Sequence, residues 1–288
     1  MDLMVLLGFG AGMIGALLLN VGKGVQKQKV RVFLQGRRMF APPHRRDLGI
    51  WLIGLAMTGS AMFFFPVGVA LSNRPSVISA MTGIGLIGLL VYAVAAIGEK
   101  IGRADALGVA LIVIGTSALG YVGSSREAVD RRFHDPTLWL VLGSILLVLI
   151  ALCAGAWRRR WQRLHGIAFG ALAGLLIGGG IFLAHAARVR AGISFGDQLR
   201  TPYLYVAFVF ALAATLASQL GFLRGRALEV VPAVNSATML VPLGLEIAVY
   251  GARPDPLELA LTGVILIGVL LLSLGAAAAN FRAPAASG

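Results

Sequence analysis

The sequence predicts an all-α polytopic membrane protein of about nine transmembrane helices. They are laid out as two inverted four-helix repeats joined by a central transmembrane helix. Three observations predict this. First, 58% of the 288 residues are hydrophobic and 13% are charged, with a mean hydropathy of +0.86. Second, the stretch ALSNRPSVISA from Ala70 returns as ALEVVPAVNSA from Ala227. Placing Pro75 on Pro232 pairs Ser79 with Ser236, and farther on Gly108 falls on Gly263 and Gly120 on Gly275. Third, the basic residues are distributed unevenly between alternate loops.

A helix needs about 20 apolar residues to cross the hydrocarbon core, and nine such runs follow in order. Leu3–Asn20 comes first. Asp2 stands where a signal peptide would be positive, and no A-x-A-like site follows, so this span is expected to be retained. Gly49–Ser72 is second, with Trp51 expected at the interface. Pro75–Gly98 opens on a proline, and Asp105–Val122 is the shortest. Thr137–Trp157 carries the single cysteine, Cys153, which has no partner for an intrachain disulfide. Ile167–Ala187, Tyr203–Leu223, Val230–Tyr250 and Leu257–Ala279 complete the set. Residues 1–122 are the N-terminal four-helix repeat, 123–162 the linking helix and 163–288 the C-terminal repeat, in one integral membrane domain.

The net charge of +13 is explained by topology. With nine spans, seventeen of the 25 Lys and Arg fall on one face, eight of them in the loop from Val21 to Leu48. The positive-inside rule makes that face cytoplasmic, with the N-terminus outside and the C-terminus inside a bacterial-type inner membrane. Nucleic acid is not an expected partner, whereas anionic lipid head groups are. Val30–Phe40 is predicted as an interfacial segment with Val30, Val32, Phe33 and Phe40 toward lipid. A second copy of the chain is a candidate partner.

Four crossings return a chain to its starting side. The fifth span adds one crossing, turns the second repeat upside down and relates the halves by a pseudo-two-fold axis in the membrane plane. A binding site is then expected near the midplane between them. Gly8–Gly12, Gly170–Gly174 and Gly174–Gly178 have the GxxxG spacing that allows close helix approach. Gly83, Gly85, Gly88, Gly179, Pro232 and Pro242 are the expected helix-break or gating positions, because irregular backbone at membrane depth must face protein or a cavity.

Polar groups in the spans are few, and each is a functional candidate because its burial is costly. Glu246, one turn beyond Pro242, is a candidate coupling carboxylate for protons. Asn235, Gln219, His185, Thr82, Thr238 and Asn20 are the remaining candidates for contact with a solute. Phe63, Phe64 and Phe65 suit either a cavity wall or a lipid-facing cluster. No P-loop, CxxC or HExxH occurs, and acids and bases are sparse in the spans. Neither an enzyme, a metal centre nor a cofactor is expected.

NVGKGVQKQK after the first span, W-x-x-G at Trp51 and Gly54, the Gly98–Glu99 pair and DALGVALIVIG from Asp105 together resemble the drug/metabolite transporter superfamily. With SQLGFLRGRALEVVPAVNSATMLVP in the second half, the pattern is most similar to its NIPA branch. The resemblance implies a secondary transporter, and for that branch magnesium transport. One departure matters: NIPA proteins carry a Gly-Glu pair where this chain has Gly59–Ser60–Ala61. Magnesium favours carboxylate and water oxygens, and Glu246 alone is a poor substitute. The expectation is therefore a transporter of a small organic metabolite or amphipathic, lipid-like solute working by alternating access. NIPA-like divalent cation transport is one alternative, and a non-transporting assembly or lipid-binding membrane protein is the other.

Overall fold

The computed structural model describes residues 3–72, 82–99, 101–123, 135–158, 162–192, 194–251 and 255–281. Among the described residues every regular element is helical. The long helices are α1 (Leu3–Lys29), α2 (Pro42–Ser72), α3 (Thr82–Tyr92), α4 (Arg103–Gly123), α5 (Asp135–Arg158), α6 (Gln162–Ala191), α7 (Pro202–Arg224), α8 (Ala227–Tyr250) and α9 (Pro256–Phe281). A single turn, Phe195–Gln198, precedes α7. Among the described residues, six helical stretches are long and apolar enough to cross a membrane: Leu6–Phe40, Pro42–Phe65, Asp135–Arg158, Leu164–Ala191, Pro202–Arg224 and Ala227–Val249. Gly83–Ile97 and Pro256–Leu272 are shorter apolar helices. This is a polytopic helical membrane protein.

α1 runs nine residues past the expected end at Asn20. Gly22 and Gly24 read as the start of a loop, yet both are helical, and each lets a neighbour come close. A Cβ on Gly22 would lie 2.8 Å from the Gly54 carbonyl oxygen of α2, and one on Gly24 would lie 2.8 Å from the Tyr92 ring of α3. Lys23, Lys27 and Lys29 therefore belong to a helix and not to a basic loop. Val30–Phe40 follows as a 3-10 segment kinked at Gly36, whose φ of 54° is left-handed. Val30 and Val32 are buried against the protein, which corrects the expectation that they face lipid. Phe33 packs edge-on to Trp51 at 4.7 Å, and Phe40 is exposed.

α3 ends in one π-helical turn, Ala93–Ile97, stopped by Gly98 at φ 76°. The Glu99 N–H reaches back to the Ala93 carbonyl over 2.9 Å, so an orphan carbonyl of the helix end is satisfied. Pro75 and its neighbours, residues 73–81, lie outside the described residues.

The helices associate in two sets with the same order of partners. α1 lies along α2 and α3, and α3 meets α4; α6 lies along α7 and α8, and α8 meets α9. The sets join where α4 crosses α9, with smaller contacts of α8 on α1, α3 and α4, while α5 packs on α6 and α8. Glycine makes the closest of these crossings possible. Cβ atoms on Gly108 of α4 and Gly268 of α9 would each lie 2.8 Å from the other's carbonyl oxygen. Gly170, Gly174 and Gly178 meet α8 in the same way, which is the close approach that GxxxG spacing permits.

Candidate functional site

The last turns of α1 carry a polar stripe. Asn20, Lys23 and Lys27 are three and four residues apart and so share one side of the helix, with Gln26 beside them. Asn20 and Gln26 are fully buried, and each finds partners on distant helices. The Asn20 carboxamide donates to the Ala16 carbonyl at 3.0 Å and accepts from Asn235 of α8 at 2.7 Å. Gln26 donates to the Gly54 carbonyl at 3.2 Å and to the Thr58 hydroxyl at 3.0 Å, both on α2. Its own oxygen accepts from Gln219 of α7 at 2.5 Å, and Gln219 accepts from the Trp51 indole at 3.0 Å. The Lys27 ammonium donates to the Phe222 carbonyl in the last turn of α7, where the helix dipole favours a cation. Amides buried at this depth would be costly without partners; here they satisfy one another in a layer joining the two helix sets.

Beyond this layer lies a cluster of charges at the end where α4 and α8 begin. The Glu99 carboxylate accepts from the Ala227 N–H at 2.7 Å and the Leu228 N–H at 3.3 Å. The end of α3 therefore caps the positive end of α8. Arg226 spans Asp105 with its two terminal nitrogens, at 3.5 and 3.2 Å. Asp105 also accepts from the Gly102 N–H at 2.9 Å and Glu229 from the Arg226 N–H at 3.1 Å; at the other end of the bundle, where α9 begins, Glu258 accepts from the Asp255 N–H at 3.1 Å. Each is an acid reaching back three residues to the start of its own helix, the geometry of a capping box.

His165 is buried, with one ring nitrogen 3.0 Å from the Leu220 carbonyl. A carbonyl accepts, so that nitrogen carries the proton; the other, Nδ1, is buried without a partner among the described residues. Its ring packs between Trp157 and Phe169. Alongside lies an apolar groove of about 330 Å³, lined by Ile150, Cys153, Trp157, Phe169, Leu172 and Leu220 among others. At the opposite end of the bundle Asp135 holds both Arg190 and the Tyr203 hydroxyl, the latter at 2.5 Å.

Of the residues expected from sequence, Asn20, Asn235 and Gln219 come together in the polar layer. Thr238 lies apart, its hydroxyl 3.4 Å from the Gly174 carbonyl, where it joins α8 to α6. The side chains of Glu246, His185 and Thr82 lie outside the described residues. Helices run on through Gly83, Gly85, Gly88, Gly179, Pro232 and Pro242 without a break. The described glycines of this group serve contact. Gly85 and Gly88 face α1, Gly83 faces Thr116 and Ser117 of α4, and Gly179 faces Leu142 and Phe210.

Sequence reasoning missed Lys23, Gln26, Thr58, His165, Glu99 and the Asp105–Arg226 pair. It also placed Trp51 at the membrane interface, although this side chain is 9% exposed. A helical period carried past Asn20 would have exposed Lys23, Gln26 and Lys27 as one stripe. Comparisons with protein-family profiles, curated proteins and solved structures find no match.

Proposed function

We propose that this protein is a secondary transporter that moves a small organic or amphipathic solute by alternating access. In this reading nine membrane crossings form two inverted four-helix repeats, α1–α4 and α6–α9, separated by α5, in the manner of the drug/metabolite transporters that the sequence resembles. The observation that carries the reading is the order of helix partners, the same in both sets, with a buried polar layer at their junction. Inverted repeats place solute sites at the interface between halves. Amides that satisfy one another in a closed layer can also turn to a solute once the halves separate. Glu246 remains the candidate for coupling transport to protons.

Two results are expected. A cysteine introduced at Arg37 or Arg45 should stay unlabelled by an impermeant maleimide in intact cells and react once the cells are permeabilised. Labelling from outside would reverse the orientation. In proteoliposomes the purified protein should exchange at least one solute from a panel of labelled organic metabolites. Replacing Asn20 and Asn235 together with leucine should abolish that exchange while the melting temperature stays near that of the wild type. Removing both partners of a buried hydrogen bond leaves no orphan group and is close to neutral for stability. Full exchange by the double variant would remove the polar layer from the pathway.

A further inference from the structure

The stripe on α1 contains one group whose charge nothing described answers. Lys23 is 5% exposed, and among the described residues it makes no hydrogen bond and no ion pair. The acids at that end of the bundle are committed elsewhere. Glu99 holds the N-terminus of α8, Asp105 holds Arg226 and the Gly102 N–H, and Glu229 holds the Arg226 N–H. Asp47 pairs with Lys29 at 2.6 Å. Lys27, one turn on, has the Phe222 carbonyl. A lysine this buried without a counter-charge disfavours the fold, and such groups in membrane proteins mark substrate paths.

The position of Lys23 follows from its neighbours. Asn20, three residues before it, touches α8, and Lys27, four residues after it, touches α7. Gly22 and Gln26 meet α2, while Gly24 meets α3. Lys23 lies on the side of α1 turned to the opposite helix set, between two contacts that cross the junction. Two donors flank that stretch, the Asn235 amide nitrogen and the Lys27 ammonium.

We propose that the solute is a small organic anion, with the Lys23 ammonium as the counter-charge for its carboxylate or phosphate. This rests on the transport reading and narrows it to a substrate class. An anion entering between the halves replaces a missing partner, so its binding is strengthened by the same burial that makes the empty site costly. Uncharged and cationic solutes gain nothing from that charge.

The test uses the full-length protein in detergent, titrated with succinate, inorganic phosphate and glycerol 3-phosphate, and with glycerol and choline as controls. At least one anion should raise the melting temperature where glycerol and choline do not. Which anion does so separates carboxylate from phosphate recognition. Lys23→Gln should weaken that binding about tenfold or more, and Lys23→Arg should retain most of it, as expected for a charge-assisted contact. Equal binding by Lys23→Gln, or no preference for anions by the wild type, overturns the proposal. The second criterion holds even where Lys23→Gln fails to fold. Liposome flux separates this inference from the reading beneath it. Anion binding through Lys23 without any flux leaves the anion site standing and removes transport. Flux of glycerol or choline that Lys23→Gln supports equally leaves transport standing and removes the anion.

Discussion

Asp105→Ala should lower the stability of the folded protein by about 3–5 kcal/mol, the usual cost of removing one partner from a buried ion pair. The side chain of Asp105 is 2% exposed and that of its partner Arg226 is 22% exposed, so water does little to screen the pair or replace the missing side. The substitution removes the acceptor for two guanidinium nitrogens and for the Gly102 N–H at the start of α4. Arg226 also sits at the entrance to α8, so the loss loosens the α7–α8 turn from α4. Asp105→Asn, which keeps an oxygen for the Gly102 N–H, should fall between alanine and the wild type. Thermal unfolding of the purified protein measures both. An alanine variant that melts with the wild type would show that the pair contributes nothing to stability.

Gly85→Ala should be the most damaging single-methyl change in the bundle. An added Cβ would lie 2.2 Å from the Ala16 carbonyl oxygen, 2.3 Å from the Asn20 amide nitrogen and 2.7 Å from the Ala16 carbonyl carbon. Two of these atoms are backbone, so α3 itself must retreat from α1. Overpacking of this kind costs about 1–3 kcal/mol, and more where the backbone cannot yield. The retreat also displaces the carboxamide that Asn20 offers to Asn235. Gly143→Ala is the matched control, because nothing lies within 4 Å of its added Cβ and alanine favours a helix more than glycine does. Comparing yield and melting temperature of the two variants decides the point. Equal behaviour would mean that α1 and α3 are not in contact at Gly85.

Much of the helix order was legible, because apolar runs long enough to cross a bilayer have little else to become. Boundaries were less so. Gly22 and Gly24 amid lysines look like a loop, and only the proximity of Gly54 and Tyr92 shows that glycine is there to make room. Trp51 carries the usual mark of an interfacial anchor, but Gln219, 168 positions away in the chain, gives its indole a half-buried partner. Asn20, Asn235 and Gln219 stood out individually as polar residues among apolar ones. Their meeting did not, since Asn20 and Asn235 are 215 residues apart and are joined only by how the helices cross. Lys23 was hidden by its company, counted among surface cations that share its charge but not its burial.

The carboxylate of Glu99 on the first two amides of α8 has a mechanical meaning. A bolt at one end of a stiff rod converts a small rotation into a large excursion at the other. α8 has 24 residues, an arm of about 36 Å at 1.5 Å per residue, so a tilt of about 10° about the bolt swings the far end by about 6 Å. The bolted end barely moves, and its two hydrogen bonds need not break. Leverage of this kind would let the protein open widely on one side of the membrane while the tethered side stays shut.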